Sequence, residues 1–400
     1  MTKKHKIKPE NGIIGNGSWG IFQKPNSTPE ERWDPFRTII DNSETKIGHH
    51  TYISTLRGNR PHENSIYQTD HPFNNQKKGE DTFCRLVKGE IPSIVLSRDL
   101  SLIKTPFSAD PAFEDLRESK VFTTVNLFTP MTRIILPNKN EKLNNLKIAK
   151  GIPLLHIFSE HYLSIEEVPE EELVSYLKNI ILTVNACKKS ITTEGSTLLP
   201  VFHFYNIGSK AGASIPHLHS QTYLYANGSL GQGWKHHSFL QSFKKNKQLV
   251  DNSFCLGCEY ANGIKNDPLG QELHIEDRLI WEDNNWLILT AYAPERDAQL
   301  RLLPKRHVSS LWELSPKEIH SLARALRIAN SALSGFIDRL GEKYLIYPDR
   351  NILFRQHGST PRIHMLVDII PVQPIGGAEI LDDYRTAHIF PEETARQMKL

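Results

Sequence analysis

The chain has 400 residues, 38% of them hydrophobic and 23% charged, which is material for two core-forming units rather than one. A net charge of +3 gives no reason to expect a nucleic-acid or membrane partner, and leaves room for a local basic pocket. Four cysteines are too few for a disulfide scaffold, and the basic start Met1 to Lys8 is followed by no run of about 7–15 apolar residues of the kind a secretory signal carries. No run of about 18 apolar residues occurs, so a membrane span is not expected and a cytoplasmic, reducing setting is.

Residues 1–80, rich in Asn, Gly, Pro and Lys, read as an irregular arm or lead-in. Within it Thr51-Tyr52-Ile53-Ser54 alternates like a strand, and the basic element Leu56-Arg57-Gly58-Asn59-Arg60-Pro61 follows. Leu154 to Phe158 has the length and apolarity of a strand. Glu170 to Cys187 carries Leu173, Tyr176, Leu177, Ile180, Ile181 and Val184 at helical spacing, behind Pro169 and a run of acids. Pro200 to Tyr205 predicts a strand, Gly208 to Ser214 a small-residue loop, and His219 to Tyr225 a further strand. Residues 229–252 read as a link. Beyond it come strands at Trp286–Leu289 and Arg301–Leu303, a long amphipathic helix over Pro316–Leu340, and strands at Asn351–Phe354 and Ile363–Pro371.

The second series repeats the first. Cys84-Arg-Leu-Val-Lys-Gly89 sits over Cys258-Glu-Tyr-Ala-Asn-Gly263, with Cys and Gly in step. His161 to Leu173 sits over His307 to Ile319 without a gap. His161 precedes His217 by 56 residues, and His307 precedes His364 by 57. Three landmarks in register predict a duplicated α+β unit: an arm over 1–80, a first half over 81–228, a link over 229–252, and a second half with a C-terminal tail over 253–400.

Comparing the copies locates the chemistry. The first half has His217, His219 and Gln221 where the second has His364, Leu366 and Asp368, and strand alternation puts each trio on one face. Only the first half keeps a central histidine. A neutral imidazole attacks phosphorus, and backbone amides of a loop such as Ala211-Gly212-Ala213-Ser214 can cradle phosphate oxygens. Gln221 can hold a phosphate oxygen but cannot protonate a leaving group, which favours an intermediate that waits for a second substrate. Two histidines two apart arise readily by chance among 18, so the weight comes from the duplicated frame and from Asn206-x-Gly208 and Gly212-x-Ser214.

Cys255-x-x-Cys258 has the spacing of a zinc knuckle, and the repeat nominates His307 and His364 as its other ligands. Four protein ligands leave no open position, as in a structural site. The matching first-half set is Asp81, Cys84, His161 and His217, either a second metal site or a decayed copy of one. Arg57 and Arg60 suit bidentate phosphate recognition or are ordinary solvated charges.

At these residues the chain resembles the galactose-1-phosphate uridylyltransferase branch of the histidine-triad superfamily. The likeness lies in Asn206-Ile207-Gly208, in Gly212-Ala213-Ser214-Ile215-Pro216-His217-Leu218-His219-Ser220-Gln221, and in Phe158-Ser159-Glu160-His161. Leu56 to Pro61 resembles the family's basic element, and Val121-Phe122-Thr123 with Asn126 its nucleotide-side strand. The resemblance implies two histidine-triad-like halves of antiparallel sheet with helices on one side, and a homodimer. It gives His219 the nucleotidyl group, Gln221 and Ser214 its phosphate, and Asn206 a supporting role. Four departures stand out. Asp81 replaces a cysteine, Leu218 replaces a proline, and Leu366 stands at a metal histidine of the family. The hexose-binding signature is not recognisable in Ala378 to Arg385.

The expectation is therefore transfer of a nucleoside monophosphate, UMP first, from a nucleotide-sugar to a sugar 1-phosphate. Its rivals are a dinucleoside polyphosphate phosphorylase or adenylyltransferase, and a non-catalytic, zinc-stabilised nucleotide-binding protein.

Overall fold

The computed structural model describes residues 80–88, 121–126, 150–192, 201–225, 255–266, 272–356, 364–382 and 386–399, with residue 90 and the short strands named below. Arg57, Arg60 and the link over 229–252 lie outside the described residues.

The lead-in is less irregular than its composition predicts. β1 (Ile21–Phe22) pairs with β7 (Thr132–Ile134), and β2 (Glu30–Ile40) forms an antiparallel hairpin with β3 (Lys46–Ile53). The register of that hairpin shifts between Trp33 and Thr38, a stretch that contains Pro35. Proline has no N–H for the ladder and so sits at irregularities. It also interrupts the alternation by which such a strand is recognised.

The remaining strands belong to one sheet, shared by both series. In the first series these are β4 (Ile94–Leu96), β5 (Leu102–Lys104), β6 (Val121–Val125), β8 (Lys150–Phe158), β9 (Val201–Ile207) and β10 (His219–Tyr225). The second has β11 (Leu279–Glu282), β12 (Trp286–Thr290), β13 (Leu300–Pro304), β14 (Tyr347–Arg355) and β15 (Leu366–Val372). The order β11-β12-β13-β15-β14-β9-β10-β8-β6-β4-β5 places the series head to head, joined where β9 and β14 pair antiparallel. Apart from the parallel pair β7–β8, the pairings are antiparallel.

Seven helices appear among the described residues: α1 (Thr82–Val87), α2 (Glu170–Thr192), α3 (Leu256–Ala261), α4 (Ile275–Arg278), α5 (Pro316–Tyr344), α6 (Gly377–Asp382) and α7 (Pro391–Met398). α5 starts where its sequence dictates. The Ser315 hydroxyl and the Glu318 carboxylate form a reciprocal capping box, with Pro316 in the first turn. The helix stops at Leu345 in a left-handed conformation.

The copies match element by element. β8 ends at Phe158 and β13 at Pro304; a short 3-10 turn spans Ile165–Glu167 and another Leu311–Glu313; α2 begins at Glu170 and α5 at Pro316. Each second member lies 146 residues after the first. The two long helices pack on one face of the sheet over the main core, where Leu173, Tyr176, Leu177 and Ile180 meet Leu322, Leu326 and Leu333. The expected packing on one side thus holds for the long helices. The short α1 and α3 lie against the opposite face, α1 on Phe122, Ile157 and Ile215, and α3, through Tyr260 and Ala261, on Leu287, Leu289, Leu303 and Leu366.

Across the join, the buried guanidinium of Arg350 on β14 pairs with Glu166 at 2.7 Å, and Ser334 of α5 donates to the same carboxylate. Among the described residues no helix is long and apolar enough to cross a membrane.

Candidate functional site

The nucleophile candidate stands at the first residue of β10. Alternation sends His219, Gln221 and Tyr223 to the α1 face, and Ser220, Thr222 and Leu224 toward the long helices. His217 and His364 are not strand residues as expected. Each lies just before its strand, which begins at His219 or Leu366. This frees both rings to turn toward a cysteine-bearing helix.

His219 is buried at 5% exposure. Its Nδ1 lies 2.8 Å from the His217 carbonyl. A carbonyl can only accept, so Nδ1 carries the proton and Nε2 the lone pair. Burial lowers the imidazole to about 4, and the ring is therefore neutral at ordinary pH. Phe83 of α1 meets it edge-on at 4.9 Å between centroids. Gln221 Oε1 accepts from the Tyr223 hydroxyl at 2.9 Å.

Behind the strand is a polar layer that sequence reasoning missed. The Tyr176 hydroxyl donates to the His156 carbonyl at 2.6 Å, accepts from the Ser220 amide at 2.9 Å, and lies 2.8 Å from the Ser220 hydroxyl. Next to it, Thr123, His156, Thr222 and His203 form a chain of 2.9 Å hydrogen bonds. Tyr176 had been placed on the apolar face of its helix by spacing alone. Its partners are on other elements, so nothing in the local pattern reveals them.

The loop over 208–214 is held mostly from within and from the second half. Gly208 and Gly212 have φ of +88° and +94°, which suits glycine. The amide of Gly212 donates to Ser209 O, that of Ala213 to Gly208 O, and that of Lys210 to the Asp349 carboxylate. Of the cradle expected over 211–214, the amides of Gly212 and Ala213 are thus engaged in shaping the loop itself. Ser214 makes no hydrogen bond among the described residues. Asn206 lies at the end of β9, with its amide nitrogen over Gly212. Asn126 directly follows β6, donates its backbone amide to the Pro153 carbonyl, and stands two strands from β10.

Two four-residue clusters could hold a metal: Cys255, Cys258, His307 and His364, and Asp81, Cys84, His161 and His217, with ligand atoms all within 4.8 Å of one another. In the second half, Cys258 Sγ lies 3.4 Å from His307 Nδ1 and 3.6 Å from His364 Nδ1, and Cys255 Sγ lies 3.6 Å from His364 Nδ1. Tetrahedral zinc requires S···N edges of roughly 3.6 Å, so the set fits. His364 Nε2 lies 2.8 Å from Pro304 O, which fixes the proton there and turns the Nδ1 lone pair inward. Gly257, between the cysteines, has its α-carbon against the His364 ring, and a Cβ would collide with it.

In the first half the Asp81 carboxylate lies 2.8 Å from Cys84 Sγ, 2.9 Å from His161 Nδ1 and 3.3 Å from His217 Nδ1. It also caps α1 by accepting from the amides of Phe83 and Cys84. Burial pushes this carboxyl up, but its close contacts with His161 and His217 outweigh it and hold the group well below the usual carboxylate range. Asp81 thus converges on its cluster as a cysteine would, with a charged oxygen in place of sulfur.

Fold and site together show a duplicated α+β unit built on one sheet, with a histidine at the head of one strand and a cluster of potential metal ligands in each half, Asp/Cys/His in the first and Cys/His in the second. No family model matches the chain. Galactose-1-phosphate uridylyltransferase of Thermotoga maritima is 25% identical over 139 residues, 35% of this chain and 39% of that protein, so the chain spans about two fifths of that relative. A solved uridylyltransferase mutant has a TM-score of 0.56 at 22% identity, covering 70% of this chain and 87% of that one. An Arabidopsis thaliana ADP-glucose phosphorylase has a TM-score of 0.58 at 18% identity, covering 93% and 99%. The chain is therefore similar in sequence to galactose-1-phosphate uridylyltransferases and similar in fold to the solved uridylyltransferase and ADP-glucose phosphorylase.

Proposed function

We propose that this chain is a nucleotidyltransferase that moves a nucleoside monophosphate, UMP in the leading reading, from a nucleotide-sugar to a sugar 1-phosphate. The observation that carries this is the 2.8 Å bond from His219 Nδ1 to the His217 carbonyl, which leaves Nε2 as the nucleophile. In the first step Nε2 attacks the α-phosphorus. An N–P bond forms, the P–O bond to the β-phosphate breaks, and its electron pair leaves on the sugar 1-phosphate. In the second step a phosphate oxygen of the acceptor attacks the same phosphorus, and the N–P pair returns to the imidazole. Gln221 and Ser214 would hold the phosphate, with Gly212 shaping the loop beside it, Asn206 and His217 in support, Asn126 on the nucleotide side, and Arg57 and Arg60 on phosphate oxygens. Because the Gln221 amide cannot protonate a leaving group, the covalent state waits for an acceptor.

Zinc is the metal the donor sets favour, and in the closed Cys2His2 cluster it would supply stability rather than chemistry. The first-half cluster would hold it through Asp81, Cys84, His161 and His217, where it orients the residue whose carbonyl holds His219. The division into halves at 81–228 and 253–400, a homodimer and a cytoplasmic location belong to the same proposal.

A second reading is a phosphorylase of ADP-sugars, with inorganic phosphate as acceptor and the same covalent step. It is favoured by the ADP-glucose phosphorylase fold matching this chain over nearly its whole length. Intact-protein mass after incubation with UDP-sugars, ADP-sugars and dinucleoside polyphosphates separates the two. A UMP adduct supports the first and an AMP adduct the second, each absent in His219→Asn. No adduct with any of these donors removes both.

A further inference from the structure

The second half has no histidine at the central strand position, yet it reaches into the loop of the first. Asn351 on β14 lies opposite Asn206 on β9 where the halves join. Its Nδ2 donates to Asn206 Oδ1 at 2.9 Å and to the Ala211 carbonyl at 3.0 Å. The second contact fixes the first. A backbone carbonyl can only accept, so the Asn351 atom facing it is the amide nitrogen, and the Asn206 atom it shares must be the oxygen. Asn206 is thereby held with its NH2 group turned to the loop at Gly212. Two residues earlier on β14, the buried carboxylate of Asp349 accepts the Lys210 amide at 2.5 Å and fills the space a side chain at Gly208 would need.

We infer that Asn351 is a positioning residue for the transfer at His219: it sets the orientation of the Asn206 amide, so that an N–H donor and not an oxygen faces the bound phosphate. This rests on the function proposed above. Asp349 serves the same loop by anchoring its first turn. The device explains a duplicated chain in which one half has lost its nucleophile, because the catalytic loop is completed from the other half.

Asn351→Asp is the sharp test, since it keeps shape and removes both donors. With only oxygens at 351, Asn206 turns its NH2 toward β14 and presents its oxygen to the phosphate. Adduct formation at His219 is followed by intact mass under single-turnover conditions, with rates taken per folded molecule from parallel thermal denaturation. Asn351→Asp is expected to slow adduct formation about 100-fold or more, and Asn351→Ala about 10-fold, because alanine leaves Asn206 free to adopt either orientation. If Asn351→Asp does not fold, the alanine variant carries the test. Wild-type rates per folded molecule in the variants, beside a normal wild-type adduct, would overturn this inference alone. No adduct in the wild type with any donor overturns the reading of His219 and this inference with it.

Discussion

His217 and His364 hold the same station in the two halves: each points Nε2 at the carbonyl that ends a strand, Phe158 or Pro304, at 2.8 Å, and each points Nδ1 into a cluster of metal-binding side chains. A backbone acceptor behind an imidazole selects the tautomer with its lone pair on the other nitrogen. The arrangement survives in the second half although Leu366 stands there in place of a central histidine. The backbone-anchored imidazole and the candidate nucleophile thus vary separately along one repeat.

Metal content should therefore follow the clusters and not the nucleophile. Cys258→Ser is expected to lose one bound zinc per chain and more than about 3 kcal/mol of stability, the scale of losing a structural metal. Elemental analysis with chemical denaturation checks this, and a fully stable, metal-free protein would sink the assignment.

Gly257→Ala probes the same cluster without touching a ligand. Its methyl group would overlap the His364 ring, so the ring must move and the tetrahedral set opens. The expected result is zinc occupancy reduced by half or more with all four ligands in place. Unchanged occupancy would mean that α3 shifts freely. Phe83, the counterpart of Gly257 in the repeat, instead packs edge-on against His219, which is a further sign that the two clusters have diverged.

Tyr176→Phe removes one hydroxyl from behind the catalytic strand. The Ser220 amide and hydroxyl and the His156 carbonyl lose a shared partner in a dry layer, at a cost of about 1–3 kcal/mol. Urea denaturation reads the loss, and a change below about 0.5 kcal/mol would show that the layer is not a strong brace.

Stability should fall in mild acid because of the paired histidines beneath β10. Burial lowers His203 to about 3, and burial followed by the charge of His203 lowers His156 well below the usual imidazole range. The groups facing them are Thr123, Asn179, Thr222, Tyr176 and Tyr205, none charged at neutral pH. A depressed imidazole binds its proton first in the unfolded chain, so this stability is complete above pH 6.5 and is lost as the pH falls toward 3. His203 alone should cost about 2 kcal/mol between pH 7 and 5. Urea midpoints for wild type and His203→Gln at the two pH values test this, and an equal pH slope in both would refute it.

Much of the site was legible because its signals are local. The trio with Gln221, the Cys-x-x-Cys pair and the ungapped match from His161 to Leu173 are spacings within one segment, and the matched 3-10 turns and helices follow from that match. Asp81 reads as a weakened ligand from its position alone, because a substitution does not reveal that the carboxylate converges with His161 and His217 on one cluster. The hairpin of β2 and β3 was hidden because Asp34-Pro35 interrupts its pattern and its pairing is stabilised by a partner strand.

By itself the sequence determined the repeat, the candidate nucleophile, the candidate ligand sets and where the two long helices start, since each is a matter of residue type at a fixed separation along the chain; their ends, Thr192 and Tyr344, lie beyond the Cys187 and Leu340 that periodicity gives. The tertiary structure decided the rest: that the halves share one sheet through β9 and β14, which imidazole nitrogen faces inward, and that Asn351 and Asp349 reach the loop over 208–214. Those outcomes depend on hydrogen-bond donors and acceptors far apart along the chain, 145 residues for Asn351 and Asn206, and only the packed fold pairs them.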